Sequence, residues 1–150
     1  MPDLSASSSR GPRLAKGPVL FVCVENAGRS QMAEAFAKKH GMNAQSAGTI
    51  PSTRINPTVV DVMRERGIDI SSNHPKTLTP ELIRDASLVV TMGCSIDEAC
   101  PKPMIAQMQK KLVEWHLEDP KGRSLEEARR IRDEIERKIM ELPAPPNSLS

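Results

Sequence analysis

Apolar residues along the chain switch between two periods. Residues 19–24, VLFVCV, form a continuous β-branched and aromatic run behind Pro18 and predict a strand buried on both faces. From Ser30 to His40, Met32, Ala33, Ala35, Phe36 and Ala37 recur among helix formers, and Gly41 ends the pattern as a helix terminator. Residues 42–50, MNAQSAGTI, predict a short strand leading into a polar loop. Asn56-Pro57 and Thr79-Pro80 each set a capping side chain before a proline at the first helical position. They open helices over PTVVDVMRER and PELIRD. SLVVTM, residues 87–92, predicts another buried strand, and GCSIDEACPKP after it reads as a loop from its glycine and prolines. Between Met104 and Leu117 the pattern is mixed, since MIAQMQKK is helical in character while KLVEWHL alternates. A strand is expected over about Leu112 to Leu117. The last helix has the clearest signature: Ser124 and Glu127 form a capping box, and Leu125, Ala128, Ile131, Ile135, Ile139 and Leu142 recur at helical spacing.

Strands alternating with helices predict an α/β fold. Its architecture is three-layer α/β/α, a four-stranded parallel sheet wound with helices on both faces. In such folds ligands sit beyond the C-terminal ends of the strands.

Composition narrows the picture. A chain of 150 residues with 38% hydrophobic and 27% charged content fits one soluble domain. That domain is expected over residues 18–142, with a disordered leader at 1–17 and a disordered tail at 143–150. Arg10, Arg13 and Lys16 against Asp3 account for the net charge of +2, so the domain itself is balanced. With one Trp, two Phe and no Tyr, it offers neither a basic stripe nor stacking platforms, which argues against nucleic-acid binding. No apolar stretch is long enough to span a bilayer, so no membrane partner is expected. The leader lacks a signal-peptide core, and a cytoplasmic monomer is expected. Three cysteines in that compartment point away from a disulfide framework and toward catalysis, redox work or metal binding.

Cys23 stands where the first strand ends, and Arg29-Ser30 where the first helix begins. A cysteine at a strand end is more often a small hydrophobe, and an arginine at a helix start more often solvated. Together at this spacing they describe something else. The loop between a buried strand and a helix gathers unpartnered backbone N–H groups and the positive end of the helix dipole, making an anion site. Val24, Glu25, Asn26, Ala27, Gly28, Arg29 and Ser30 would form that cradle, with Cys23 at its floor. The same positive field favours a thiolate. Arg29 supplies a planar fork for two oxygens of a tetrahedral oxyanion, and Ser30 can donate its hydroxyl to the sulfur. Asn26 suits the left-handed backbone that so tight a loop needs.

Here the chain resembles a known family. CVENAGRS is similar to the phosphate-binding loop of the low-molecular-weight protein tyrosine phosphatases and of the arsenate reductases built on their fold. The following QMAEAF resembles the reductase branch. SAGT at 46–49, GIDIS at 67–71, VVTMGC at 89–94 and LEDPKG at 117–122 fall where that family has comparable segments. The loop departs from the pattern at Glu25, where glycine is common. A carboxylate there opposes anion binding unless it turns outward.

The resemblance implies a thiol-dependent arsenate reductase, an oxidoreductase of arsenical resistance with no cofactor. Cys23 would attack arsenate, Arg29 would clamp it, and Asp119 of the Asp119-Pro120 pair would protonate the departing oxygen. Cys94 would then attack Cys23, and Cys100 would carry the oxidation to a pair that thioredoxin reduces, unless a small thiol serves as reductant. The substrate would be arsenate or a phosphate-like oxyanion. Two rival readings stay open: a phosphatase acting on phosphotyrosine or a small phosphoester, and a non-catalytic oxyanion sensor or partner module. Lys121-Gly122 stands where such phosphatases carry aromatic residues, which tilts toward a small inorganic anion, although Trp115 remains available as a wall. No metal is expected, because the cysteines lack tight C-x-x-C spacing and His40, His74 and His116 lie in unrelated segments. Glu34 and Ser46 match positions that hold a monovalent cation in some reductases, but Lys76 stands where a carboxylate would be required.

Overall fold

The computed structural model describes residues 17–92 and 111–142. Residues 1–16 of the leader, the loop carrying Cys94 and Cys100, residues 104–110 and the tail lie outside the described residues. In chain order the elements are β1 (Val19–Cys23), α1 (Arg29–Lys39), β2 (Ala44–Gly48), α2 (Pro57–Arg64), α3 (Pro80–Asp85), β3 (Leu88–Met92), β4 (Leu112–Trp115) and α4 (Leu125–Glu141).

The four strands form one all-parallel sheet in the order β2-β1-β3-β4, as the alternation of elements predicts. Strand β1 is central and buried along its whole length, which is why its sequence is a continuous apolar run rather than an alternating one. Its odd residues, Val19, Phe21 and Cys23, join a core with Met32 and Phe36 of α1, Val59 and Val62 of α2 and Ile131 and Ile135 of α4. Its even residues, Leu20 and Val22, face the other layer with Ile83 of α3, Val89 and Leu78. A strand period of two thus sends side chains into both layers of an α/β/α arrangement.

Local signals act as the sequence predicts. Asn56 accepts from Thr58 N–H, Thr79 accepts from Leu82 N–H, and Ser124 and Glu127 close a reciprocal capping box. One expectation needs correction. The last strand stops at Trp115 instead of Leu117, and His116 beyond it is exposed. Trp115 is 8% exposed, its ring 6.1 Å from that of Phe21 and under the Lys138 ammonium at 5.9 Å. Alternation along β4 turns the indole into the core, so it is spent on packing.

Helices α2 and α4 are joined by ions as well as by apolar contact. Arg129 and Arg132 both bond the Glu65 carboxylate, and Arg132 also donates to Val62 O at 2.8 Å. These guanidinium hydrogen bonds, Arg129's first, pull the Glu65 carboxyl down to a pKa of about 2. No helix among the described residues is long and apolar enough to cross a membrane.

Candidate active site

The sheet's central strand delivers Cys23 to its C-terminal edge, and the chain then loops through residues 24–28 into α1. What orients that loop is a strap, residues 49–56, running beside it. Thr49 N–H donates to Cys23 O, Ile50 N–H to Val24 O, Ser52 N–H to Glu25 O and Asn56 N–H to Ala27 O, at 2.8 to 3.3 Å. In a planar trans peptide the following N–H points opposite its carbonyl. Tying these carbonyls to the strap therefore turns the N–H groups of Val24, Glu25, Asn26 and Gly28 to the inner side of the loop. Asn26 N–H shows the result directly, reaching Cys23 Sγ at 3.2 Å. Gly28 caps α1 without a side-chain hydrogen bond and the first turn carries no acidic residue, so the helix's leading N–H groups and dipole remain available to an anion.

A buried polar network fixes the loop's shape. Asn26 is fully buried with φ of 52°, the left-handed conformation its residue type tolerates. Its amide nitrogen donates to Ser30 Oγ at 2.8 Å, and Ser30 Oγ lies 2.8 Å from Cys23 Sγ. Its Oδ1 accepts from Gln31 Nε2 at 3.0 Å and from Lys76 N–H at 2.8 Å. Gln31, itself fully buried, is held in turn by Asn73 Nδ2 at 3.2 Å. Beneath the loop lies Gly48, paired with Cys23 across the β1–β2 ladder. A Cβ there would stand 2.6 Å from Val24 O and 2.9 Å from Asn26 N, so only glycine lets the loop lie against β2. Gln31, Gly48 and the 73–76 segment are supports that the reading of the sequence did not assign. A glycine inside a strand is itself a signal of close backbone approach, whereas the others depend on long-range contacts.

Cys23, Arg29, Asp119 and Lys121 line one open cleft of about 480 Å³, with the loop as floor and Thr53 to Pro57 along one wall. Arg29 is buried, donates to Leu117 O at 3.2 Å and lies 3.6 Å from Asp119 Oδ2. The Asp119 loop is braced by Arg123, which donates to Asp119 O at 2.9 Å. Glu25 and Lys121 both line the cleft, and the Lys121 ammonium is 3.1 Å from the Glu25 carboxylate. The structure thus brings together Cys23, the loop residues Val24 to Ser30, and Asp119; Cys94 and Cys100 lie outside the described residues. Trp115, expected as a possible wall, is not there, and among the described residues no aromatic side chain lines the cleft. Glu34 accepts from the Ser46 hydroxyl and is flanked by Lys38 at 2.7 Å and Lys76 at 3.7 Å, so cationic side chains face that buried carboxylate. Among the described residues no three His, Cys, Asp or Glu side chains converge as metal ligands.

A cysteine at a strand end, a loop of inward amides and an arginine entering the helix together form a phosphate-type cradle. Residues 18–148 match the family described as low molecular weight phosphotyrosine protein phosphatase. The chain belongs to this family. Within it, an arsenate reductase of Brevibacillus brevis is 37% identical over 127 residues, covering 83% of this chain and 92% of the relative. The solved thioredoxin-dependent arsenate reductase of Corynebacterium glutamicum is 37% identical, with a TM-score of 0.66, covering 85% of this chain and 60% of its own. The YwlE arginine phosphatase of Geobacillus stearothermophilus is 25% identical, with a TM-score of 0.73 and coverage of 83% and 88%. Backbone likeness therefore does not separate reductase from phosphatase in this family; side chains must.

Proposed function

We propose that this member of the family is a cytoplasmic, monomeric arsenate reductase. The thiol chemistry rests on Cys23 Sγ at the floor of the cleft, hydrogen-bonded by Asn26 N–H and Ser30 Oγ, with Arg29 and Asp119 on the same cavity, and the choice of arsenate is carried by relatives named arsenate reductase at 35% and 37% identity. The inward amides and the guanidinium hold the three non-reacting oxygens of arsenate. The Cys23 thiolate attacks arsenic, an S–As bond forms, and the departing oxygen leaves as water after taking a proton from Asp119. Arsenic is still pentavalent in that adduct. Cys94, as thiolate, then attacks Cys23 Sγ; an S–S bond forms, the S–As bond breaks, and its electron pair stays on arsenic, which leaves as arsenite. Exchange with Cys100 moves the disulfide to Cys94–Cys100, and a dithiol of the thioredoxin class reduces it. The reductase names of relatives at 37% identity and the thioredoxin dependence of one of them support this sequence.

The second reading is phosphoester hydrolysis, favoured by the shared thiol, arginine and aspartate and by the phosphatase relative. The absence of aromatic side chains from the cleft lining among the described residues argues against an aryl phosphate. The deciding experiment supplies arsenate or an aryl phosphate, with thioredoxin and small thiols as separate reductants. Arsenate-dependent oxidation of reductant that disappears in Cys23→Ser is expected. Aryl phosphate hydrolysis far outpacing arsenate reduction, or undiminished turnover in Cys23→Ser, would overturn the reading.

A further inference from the structure

We propose that Glu25 and Lys121 form a charge-compensating latch, in which Lys121 acts as a positioning residue that makes a carboxylate-bearing loop competent to bind an oxyanion. The inference rests on the proposed use of the cleft for a tetrahedral anion. Glu25 sits within the cradle, and a free carboxylate there would repel any anion approaching the same amides. Its side chain instead meets Lys121 Nζ at 3.1 Å, and both residues line the cleft.

Lys121 does more than neutralise. Its backbone N–H donates to Asp119 Oδ1 at 3.0 Å while its ammonium holds Glu25, so a single residue joins the loop carrying the thiol to the loop carrying the acid. The two loops also touch nearby, where a Cβ on Gly28 would come within 3.1 Å of Pro120 Cγ. Both charged side chains are substantially exposed, Lys121 at 68% and Glu25 at 40%. Such a pair adds little to fold stability, so its consequence falls on ligand affinity. The compensating charge is supplied from 96 residues away in sequence.

The test uses inorganic phosphate as probe, with calorimetric Kd values measured at low ionic strength on the full chain and on Lys121→Met, Glu25→Gln and the double variant. Freeing the Glu25 carboxylate in Lys121→Met is expected to weaken phosphate binding on the order of fivefold. Glu25→Gln should bind no more weakly than the parent, and the double variant should return to that level. The Lys121→Met loss should also shrink as potassium chloride is raised, which a merely structural defect would not do. An unchanged Kd in Lys121→Met overturns the latch. So does equal weakening in Lys121→Met and the double variant, because Lys121 would then be a direct anion ligand. Phosphate binding with this pattern but without arsenate turnover would sink the reductase reading and leave the latch standing; a parent chain that binds no phosphate sinks both.

Discussion

Replacing Asn26 with alanine tests whether the loop is held by one side chain. Asn26 is fully buried at φ of 52°, and its amide makes three side-chain hydrogen bonds, to Ser30, Gln31 and Lys76. Truncation leaves the partners unequally affected. Ser30 Oγ keeps Cys23 Sγ, and Gln31 Nε2 keeps the carbonyls of Asn26 and His74, but Lys76 N–H loses its acceptor. A part-buried donor left without its acceptor costs about 1 kcal/mol, and loss of the Ser30 bond about 1 kcal/mol more. Alanine in the left-handed region adds roughly 1 kcal/mol that glycine avoids. Asn26→Ala should therefore lose about 3 kcal/mol and Asn26→Gly about 2 kcal/mol, read by urea unfolding at constant m. Thermal midpoints should fall in the same order, by about 3 °C per kcal/mol. Equal losses in the two variants, or losses below about 0.5 kcal/mol in both, would refute the reasoning that network and backbone jointly set the loop.

Two further outcomes follow from packing and charge. Gly48→Ala forces a Cβ to within 2.6 Å of Val24 O, so the loop must move; arsenate-dependent turnover is expected to fall at least about tenfold, with circular dichroism of the sheet retained. Glu65 has a folded-state pKa pulled down to about 2 by Arg129 and Arg132, below its ordinary 4.5. The unfolded chain therefore binds more protons between those values, and the contribution is complete above about 4.5 and lost as pH falls through about 2. Glu65→Gln should flatten the acid limb of the stability–pH curve in that window, measured by denaturant titration at each pH.

Much of this molecule is readable from its sequence because its signals are local. A continuous apolar run becomes the central strand, Asn56 and Thr79 cap helices ahead of prolines, and Ser124 closes a capping box with Glu127. The thiol and guanidinium six residues apart are legible for the same reason: strand, loop and helix fix their relation without help from distant chain. What escapes is contact across long sequence separation. Nothing near Glu25 indicates that Lys121 receives it, nor does anything near Gln31 indicate Asn73. Trp115 shows the complementary failure. Alternation gives a strand its two faces, but only tertiary packing decides which face meets the core, and the indole packs 6.1 Å from Phe21, two strands away.

The strap over residues 49–56 has an evolutionary corollary. Because it grips the carbonyls of Cys23, Val24, Glu25 and Ala27, the cradle is assembled from main chain, and the identities of Val24, Glu25 and Ala27 are not themselves recognition elements. Those positions can drift or be redesigned while the donors stay where they are, provided that a charge gained there is compensated as Lys121 compensates Glu25. Innovation at this pocket is cheap on its rim and forbidden at its hinge points, Asn26 and Gly48.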